Sequence, residues 1–210
     1  MLTERLAIIG TGGHAKVVVD ALLSLGWQTA FDFYSEDSSS IGREFSGELT
    51  SPLLVAALKN RPFHVAIGNN AARQRIADAL ISAGALPFSI IHPQGIASKA
   101  SRIGAGSFLA AGAIVGPYAR LGQNCIVNHG AIVDHDCDVA DNCHVAPGAT
   151  LGGGVVLDRG VLIGAGANVL PLVTIGAGAT IGAGAVVHQN VPAGQTYVGV
   201  PARQIQERQA

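Results

Sequence analysis

Charge is scarce in this chain, and it is balanced. Only 13% of the 210 residues are charged and the net charge is −1, so no basic stripe offers itself to nucleic acid. Aromatic residues make up 5%, few enough to suggest a thin core. The three cysteines, Cys125, Cys137 and Cys143, have neither the density of a disulfide framework nor the spacing of a zinc motif. They read as small apolar filler in a reducing compartment, which points to the cytoplasm. Residues 1–6 lack the basic start and long apolar run of a signal peptide. Residues 160–187 are nearly uncharged and long enough to cross a bilayer. They carry seven glycines and Pro171, however, and keep a six-residue rhythm that a membrane helix would not. No membrane partner is expected.

That rhythm organises the chain. Counting in sixes from Ile103 gives Leu109, Val115, Leu121 and so on to Val187, and each position is Ile, Leu or Val. Two residues before each stands a small residue, from Ser101 and Ser107 to Ala185. A helix of 3.6 residues per turn cannot use a period of six; hexapeptide repeats are the signature of a parallel β-helix. Each unit makes one short strand and one corner, and three units make a triangular coil. The aliphatic residue points inward, the small one fits the corner, and residues 18 apart stack about 4.8 Å up the axis. About five coils are expected from this span. Handedness does not follow from the period.

The first half of the chain has another grammar. Residues 5–10 read as a buried strand entering Gly10-Thr11-Gly12-Gly13-His14-Ala15, followed by an apolar-periodic helix over 15–25. Glycines there let backbone N–H groups approach a phosphate at the helix N-terminus. A second strand at 28–33 brings Asp32, an acid at the distance suited to a ribose hydroxyl. A tight strand–helix turn without ligand is the plain alternative. Further on, a short helix at 52–60, a strand at 63–68, a helix at 71–84 capped by Asn69-Asn70 and a fourth strand at 88–91 complete a small parallel α/β domain. Residues 1–92 are assigned to this Rossmann-like domain. Residues 93–210 are assigned to the β-helix, with 93–102 as a bridge and a capping tail after Val187. The α/β domain is too short for a full dinucleotide-binding sheet.

The prism breaks its bland pattern in one coil. Its turns read Asn128-His129-Gly130, Asp134-His135-Asp136-Cys137-Asp138 and Asp141-Asn142-Cys143-His144. A neutral imidazole takes a proton near pH 7, and a neighbouring carboxylate orients the ring and raises its basicity. His135 with Asp136 is therefore the candidate base, provided a corner turn lets Asp136 reach the ring. His144 is a candidate ligand contact, and His129 reads as surface. These positions sit at different angles around the triangle; a trimer of parallel prisms, with a corner of one copy facing a wall of the next, makes an interfacial site possible.

On these residues the chain resembles the nucleotide-sugar N-acetyltransferases, the family of UDP-, GDP- and dTDP-4-amino-sugar acetyltransferases, whose architecture recurs in sialic-acid O-acetyltransferases. The matching pieces are Gly10-Thr11-Gly12-Gly13-His14, Ile67-Gly68-Asn69-Asn70, Asp134-His135-Asp136, His144 and Gly199-Val200-Pro201-Ala202-Arg203. The resemblance implies a left-handed β-helix, a homotrimer, acetyl-CoA as co-substrate between neighbouring prisms, and a nucleotide-linked amino sugar held by the N-terminal domain. It implies His135 as general base with Asp136 behind it. It places His144 at the thioester and the backbone of Ala165 and Ala183 along the pantetheine arm. Gly12, Gly13, His14, Asp32, Gly68 and Asn69 would hold the nucleotide sugar; no metal is required. The product would enter polysaccharide biosynthesis. Rival readings are O-acetylation of sialic acid or another sugar hydroxyl, a non-catalytic sugar-binding scaffold, and a γ-class carbonic-anhydrase-like metal enzyme.

Overall fold

The computed structural model describes residues 5–27 and 31–205. Its first part is a parallel sheet of five strands. Strand β1 (Leu6–Ile9) is apolar and buried throughout, as a central strand covered on both faces requires. Helix α1 (Gly13–Ser24) leads to β2 (Phe31–Ser35), and a small hairpin, β3 (Glu44–Phe45) and β4 (Glu48–Leu49), precedes the edge strand β5 (Ser51–Pro52). A 3₁₀ turn over Val55–Leu58 stands where a short helix was expected. Strand β6 (Pro62–Val65), helix α2 (Asn70–Ser82) and β7 (Leu86–Pro87) follow. The order is β5-β2-β1-β6-β7, so the chain leaves β1 toward one side and returns on the other. The expected strand at 28–33 begins at Phe31; residues 28–30 lie outside the described residues.

One element differs in kind from its sequence reading. Residues 88–91 do not form a fourth strand of this sheet. Ile90–Ile91 pairs in parallel with Phe108–Leu109, and Ile96–Ala97 pairs with Ile114–Val115. The stretch read as a bridge is thus the beginning of the prism. Ile91 is already in the six-residue register, but the next rung is Ala97, which broke the run of Ile, Leu and Val. The strand that completes the α/β sheet is β7, which pairs with β6.

From Ile90 the chain winds through two-residue strands into three walls. The first wall starts at Ile90–Ile91, the second at Ile96–Ala97 and the third at Arg102–Ile103. The second residue of each strand points inward, and Leu109, Val127, Val145, Ile163 and Ile181 form one buried ladder. Each such side chain contributes about 1.5–3 kcal/mol by leaving water. From residue 106 to residue 184 every sixth residue has a positive φ, and this is what turns each corner. Most are glycine; Asn124, Asp136 and Asn142 use the tolerance of Asn and Asp for this region, and Tyr118 and Leu172 occupy it without that tolerance. After Val187 the chain adds Thr196–Val198 to the first wall and folds Arg203–Gln204 back against it antiparallel, covering the edge. Residues 206–210 lie outside the described residues.

The α/β sheet docks on the first wall. The outward residues of that wall, Ile90, Phe108 and Ile126, join a buried cluster with Leu6, Ile8, Val18, Leu22 and Phe33. The next rung of the same outward ladder, paired with Ile126, is His144. Packing thus carries the polar rung to the mouth of the α/β segment.

Candidate active site

Three loops converge around His144, carrying His14, Gly68 and Asn128. The first is the turn between β1 and α1. Gly10 has φ +109°, and a Cβ there would press within 2.9 Å of Ile67 Cγ1, so only glycine closes this turn. A Cβ at Gly12 or Gly13 would meet nothing within 4 Å, which leaves their backbone open to an incoming ligand. Gly12 caps α1 without a side-chain hydrogen bond, so the first amides of that helix remain available to an anion. Helix α2 is closed differently: Asn69 Oδ1 accepts from Ala72 N at 2.9 Å. The Asn69 side chain is thereby spent on the cap.

His14 reaches from this turn toward the prism. Its ring stands edge-on to Phe108 at 5.3 Å and lies 6.4 Å from His144. Burial, then the neighbouring His64, His144 and Arg73, push His14 down to about 3. His64 is fully enclosed, with Nδ1 2.9 Å from the Phe88 carbonyl, and burial first holds it near 4. His144 is held near 4 by burial and then by the positive charge of Arg73. All three rings are therefore neutral at pH 7.

His144 has a partner at each nitrogen. Nδ1 lies 3.3 Å from the Gly68 carbonyl and Nε2 lies 3.2 Å from Asn128 Nδ2. A carbonyl only accepts, so Nδ1 carries the proton and Nε2 accepts from the amide. Asn128 is held in that sense because its Oδ1 accepts from His129 N at 2.9 Å.

His135 and Asp136 stand elsewhere. They occupy the corner between the second and third walls, opposite the wall that carries His144. Asp136 has φ +57°, and this corner conformation swings its carboxylate to 2.8 Å from His135 Nδ1. Nδ1–H donates to Asp136, leaving Nε2 as a lone-pair acceptor on an exposed ring. The Asp136 hydrogen bond first, and the Asp134 charge second, raise the His135 pKa above its ordinary value. The ring lies over Gly153, where a Cβ would collide with it.

Ala165 and Ala183 stack at the exposed corner between the first and second walls. Gly184 N donates to Ala165 O at 2.8 Å, and Gly166 N to Pro147 O at 2.9 Å; the Ala165 and Ala183 amides stand outside that ladder. A cavity of about 310 Å³ opens at the strand ends, lined by Gly10, Ser35, Glu36, Asp37, Ile67 and Ala72. Such crevices at the switch of strand order are where open α/β sheets bind ligands. Asp32 is not part of it. It lies one residue into β2, and its two oxygens accept from Arg5 Nε at 2.6 Å and Arg61 Nη2 at 2.7 Å. The acids at the crevice are Glu36 and Asp37, because β2 runs to Ser35 rather than ending at Phe33.

The structure thus gathers His14, Gly68 and His144, with Gly12 and Gly13 on the adjoining turn, and leaves His135–Asp136 on the far corner. Sequence reasoning missed Asn128, Arg73 and the enclosure of His64. The Asn-Asn-Ala-Ala-Arg string was the available signal for Arg73, and nothing in its spacing marked a buried cation.

Comparison with known proteins bears on this geometry. The PglD N-terminal domain family matches residues 5–80, and the bacterial transferase hexapeptide family (six repeats) matches residues 118–153. The acetyltransferase domain of PglB from Neisseria gonorrhoeae, solved with acetyl coenzyme A, is 35% identical over 96% of this chain and 99% of that one, with a TM-score of 0.90. The chain belongs to the nucleotide-sugar N-acetyltransferases. A variant of GDP-perosamine N-acetyltransferase from Caulobacter crescentus, in complex with CoA and GDP-perosamine, is 32% identical over 98% and 99% of the two chains, also with a TM-score of 0.90. WeeI from Acinetobacter baumannii shares 27% identity over 97% and 100%, at 0.89. No curated protein sequence matches the chain. The prism of this acetyltransferase is the left-handed β-helix that the resemblance implied. Among the described residues no helix is long and apolar enough to cross a membrane.

Proposed function

We propose that this acetyltransferase transfers the acetyl group of acetyl-CoA to the amine of a nucleotide-linked 4-amino sugar, with His135 as general base. The observation that carries the reading is the His135 Nδ1–Asp136 bond, which leaves Nε2 unprotonated, exposed and basic. The amine nitrogen attacks the thioester carbonyl as Nε2 takes its proton, and the C–N bond forms. The C–S bond then breaks, and the departing thiolate receives the proton from His135. Asp136 holds the ring and offsets the imidazolium charge. His144 has no proton to lend at Nε2, so a backbone amide is the donor for the oxyanion. The transfer is direct, with no covalent enzyme intermediate, and holding both substrates in one groove supplies much of the rate.

Residues 1–92 serve the nucleotide sugar and residues 93–210 the acyl transfer in this reading. Gly12, Gly13 and His14 hold the nucleotide sugar beside the Gly68–Asn69 loop. The pantetheine arm passes the Ala165 and Ala183 amides, with the thioester near His144. Because His135 faces away from His144 within one chain, the two half-sites meet only when another copy supplies the opposite corner. A trimer of parallel prisms does this. The relatives with CoA and GDP-perosamine bound support the substrate classes. The product suits surface polysaccharide synthesis in the cytoplasm.

Release of CoA from acetyl-CoA, read with a thiol reagent across UDP-, GDP- and dTDP-linked 4-amino sugars and sialic acid, tests the reading. A fast amine-dependent signal that the His135→Ala protein loses is expected. Activity with sialic acid alone would move the assignment to O-acetylation, and silence in protein that does not bind acetyl-CoA would sink acyl transfer altogether.

A further inference from the structure

Arg73 is a buried guanidinium with no carboxylate paired to it among the described residues. It is 1% exposed. Its Nε donates to Asn124 O at 2.7 Å, Nη2 to Asn70 Oδ1 at 2.8 Å and to Asn142 O at 2.9 Å, and Nη1 to Ile67 O at 3.1 Å and Gly68 O at 3.2 Å. Carbonyls from two prism coils and from the loop before α2 thus share one planar fork. An uncompensated buried charge is costly, and bolting a helix to a wall does not call for one; apolar packing would serve. A second task explains it better. The Gly68 carbonyl that Arg73 grips is the same carbonyl that lies against His144 Nδ1.

We propose that Arg73 is a positioning residue for acetyl transfer: by fixing the Gly68 carbonyl against His144 it selects the His144 tautomer with Nδ1 protonated and Nε2 accepting from Asn128. This rests on the reading of the junction as the acyl-transfer site. The links are continuous, from Arg73 Nη1 through Gly68 O and the His144 ring to Asn128 Nδ2, and each is a hydrogen bond of known sense. Arg73 also sets its charge beside the ring, which disfavours a second proton there. A lysine has the charge but not the fork; it cannot hold Gly68 while reaching Asn124 and Asn142.

The test is a ¹⁵N-edited NMR reading of the histidine tautomers in the whole protein at pH 7.5, with kinetics alongside. In the wild type His144 is expected to show Nδ1–H and an unprotonated Nε2. Arg73→Lys is expected to mix the two tautomers and to lower kcat by about tenfold or more, the scale seen when a histidine loses its orienting partner. Leu80→Ala is the control: it removes a fully buried side chain from the same helix, loosening that helix while leaving Arg73 and all its hydrogen-bond partners in place. It is expected to lower Tm with the His144 tautomer unchanged. The proposal is overturned by a wild-type His144 protonated at Nε2. It is overturned equally by an Arg73→Lys protein that loses Tm as Leu80→Ala does but keeps the tautomer and kcat. Wild-type protein that acetylates nothing would overturn the acetyltransferase reading instead, and the tautomer is measured without substrate, so the two failures are told apart.

Discussion

Asp136 shows how a backbone corner and, in the proposed mechanism, a proton transfer come to depend on one residue. A positive φ there is costly for most L-residues and mild for Asp, so the same side chain turns the corner and reaches back to His135. Asn keeps the turn and removes the charge. A base works only when unprotonated, and the Asp136 bond raises the His135 pKa. Activity should therefore rise as pH climbs through a value above the usual 6.5. In Asp136→Asn that acidic limb of kcat/KM should move down toward the ordinary value, and the plateau should fall by roughly tenfold or more as the ring loses its orientation. A pH–rate profile with an unmoved limb would separate Asp136 from the base. The pair was legible in the sequence because acid, histidine and acid interrupt a bland repeat. The surroundings of Asp32 were not legible for an equally physical reason: counting residues from the glycine turn locates an acid along the chain, but not which end of the strand it occupies, nor that it pairs with Arg5 and Arg61.

At the scale of elements, the prism was readable because six-residue periodicity has no competing explanation, whereas its first coil was hidden by one alanine. The junction between α2, α1 and the first wall was not readable at all. It brings together His14, His64 and His144 from turn, strand and prism, and adjacency of that kind has no signature in spacing. Its consequence is acid sensitivity. His64 has a folded pKa near 4, below the unfolded value near 6.5. The unfolded chain binds the extra proton between those values, so stability is full above about pH 6.5 and declines as pH falls toward 4. For His64 alone the loss at pH 5 is about 2 kcal/mol. The His64→Phe protein should show a smaller difference in unfolding free energy between pH 7.5 and pH 5 than the wild type, whatever its stability at pH 7.5. Urea titrations at the two pH values measure it; an unchanged difference would mean that His64 is not the buried neutral ring described here.

For the whole molecule, the decisive fact is that one chain carries the His135–Asp136 corner and the His14–His144 cluster on opposite sides of the prism, which the proposed mechanism reads as two half-sites. No rotamer change brings His135 across the core to His144, because the core between them is packed with inward Val, Leu and Ile. Catalysis by a lone chain would need one half-site to be idle. Catalysis by a cyclic trimer uses both, with each interface joining the His135 corner of one copy to the His14–His144 face of the next. The two arrangements part in a mixing experiment. His135→Ala and His14→Ala proteins are each expected to be nearly inactive. If they are unfolded together in equal amounts and refolded, an intact interface needs its His135 from the second protein and its His14 from the first. Random assembly makes about one quarter of the interfaces intact, and activity should return to about that share of wild type. If each chain housed its whole site, every site in the mixture would carry one lesion and no activity would return. Recovery near a quarter would therefore place the reaction between copies, and its absence would mean that no interface between copies joins His135 of one to His14 of another.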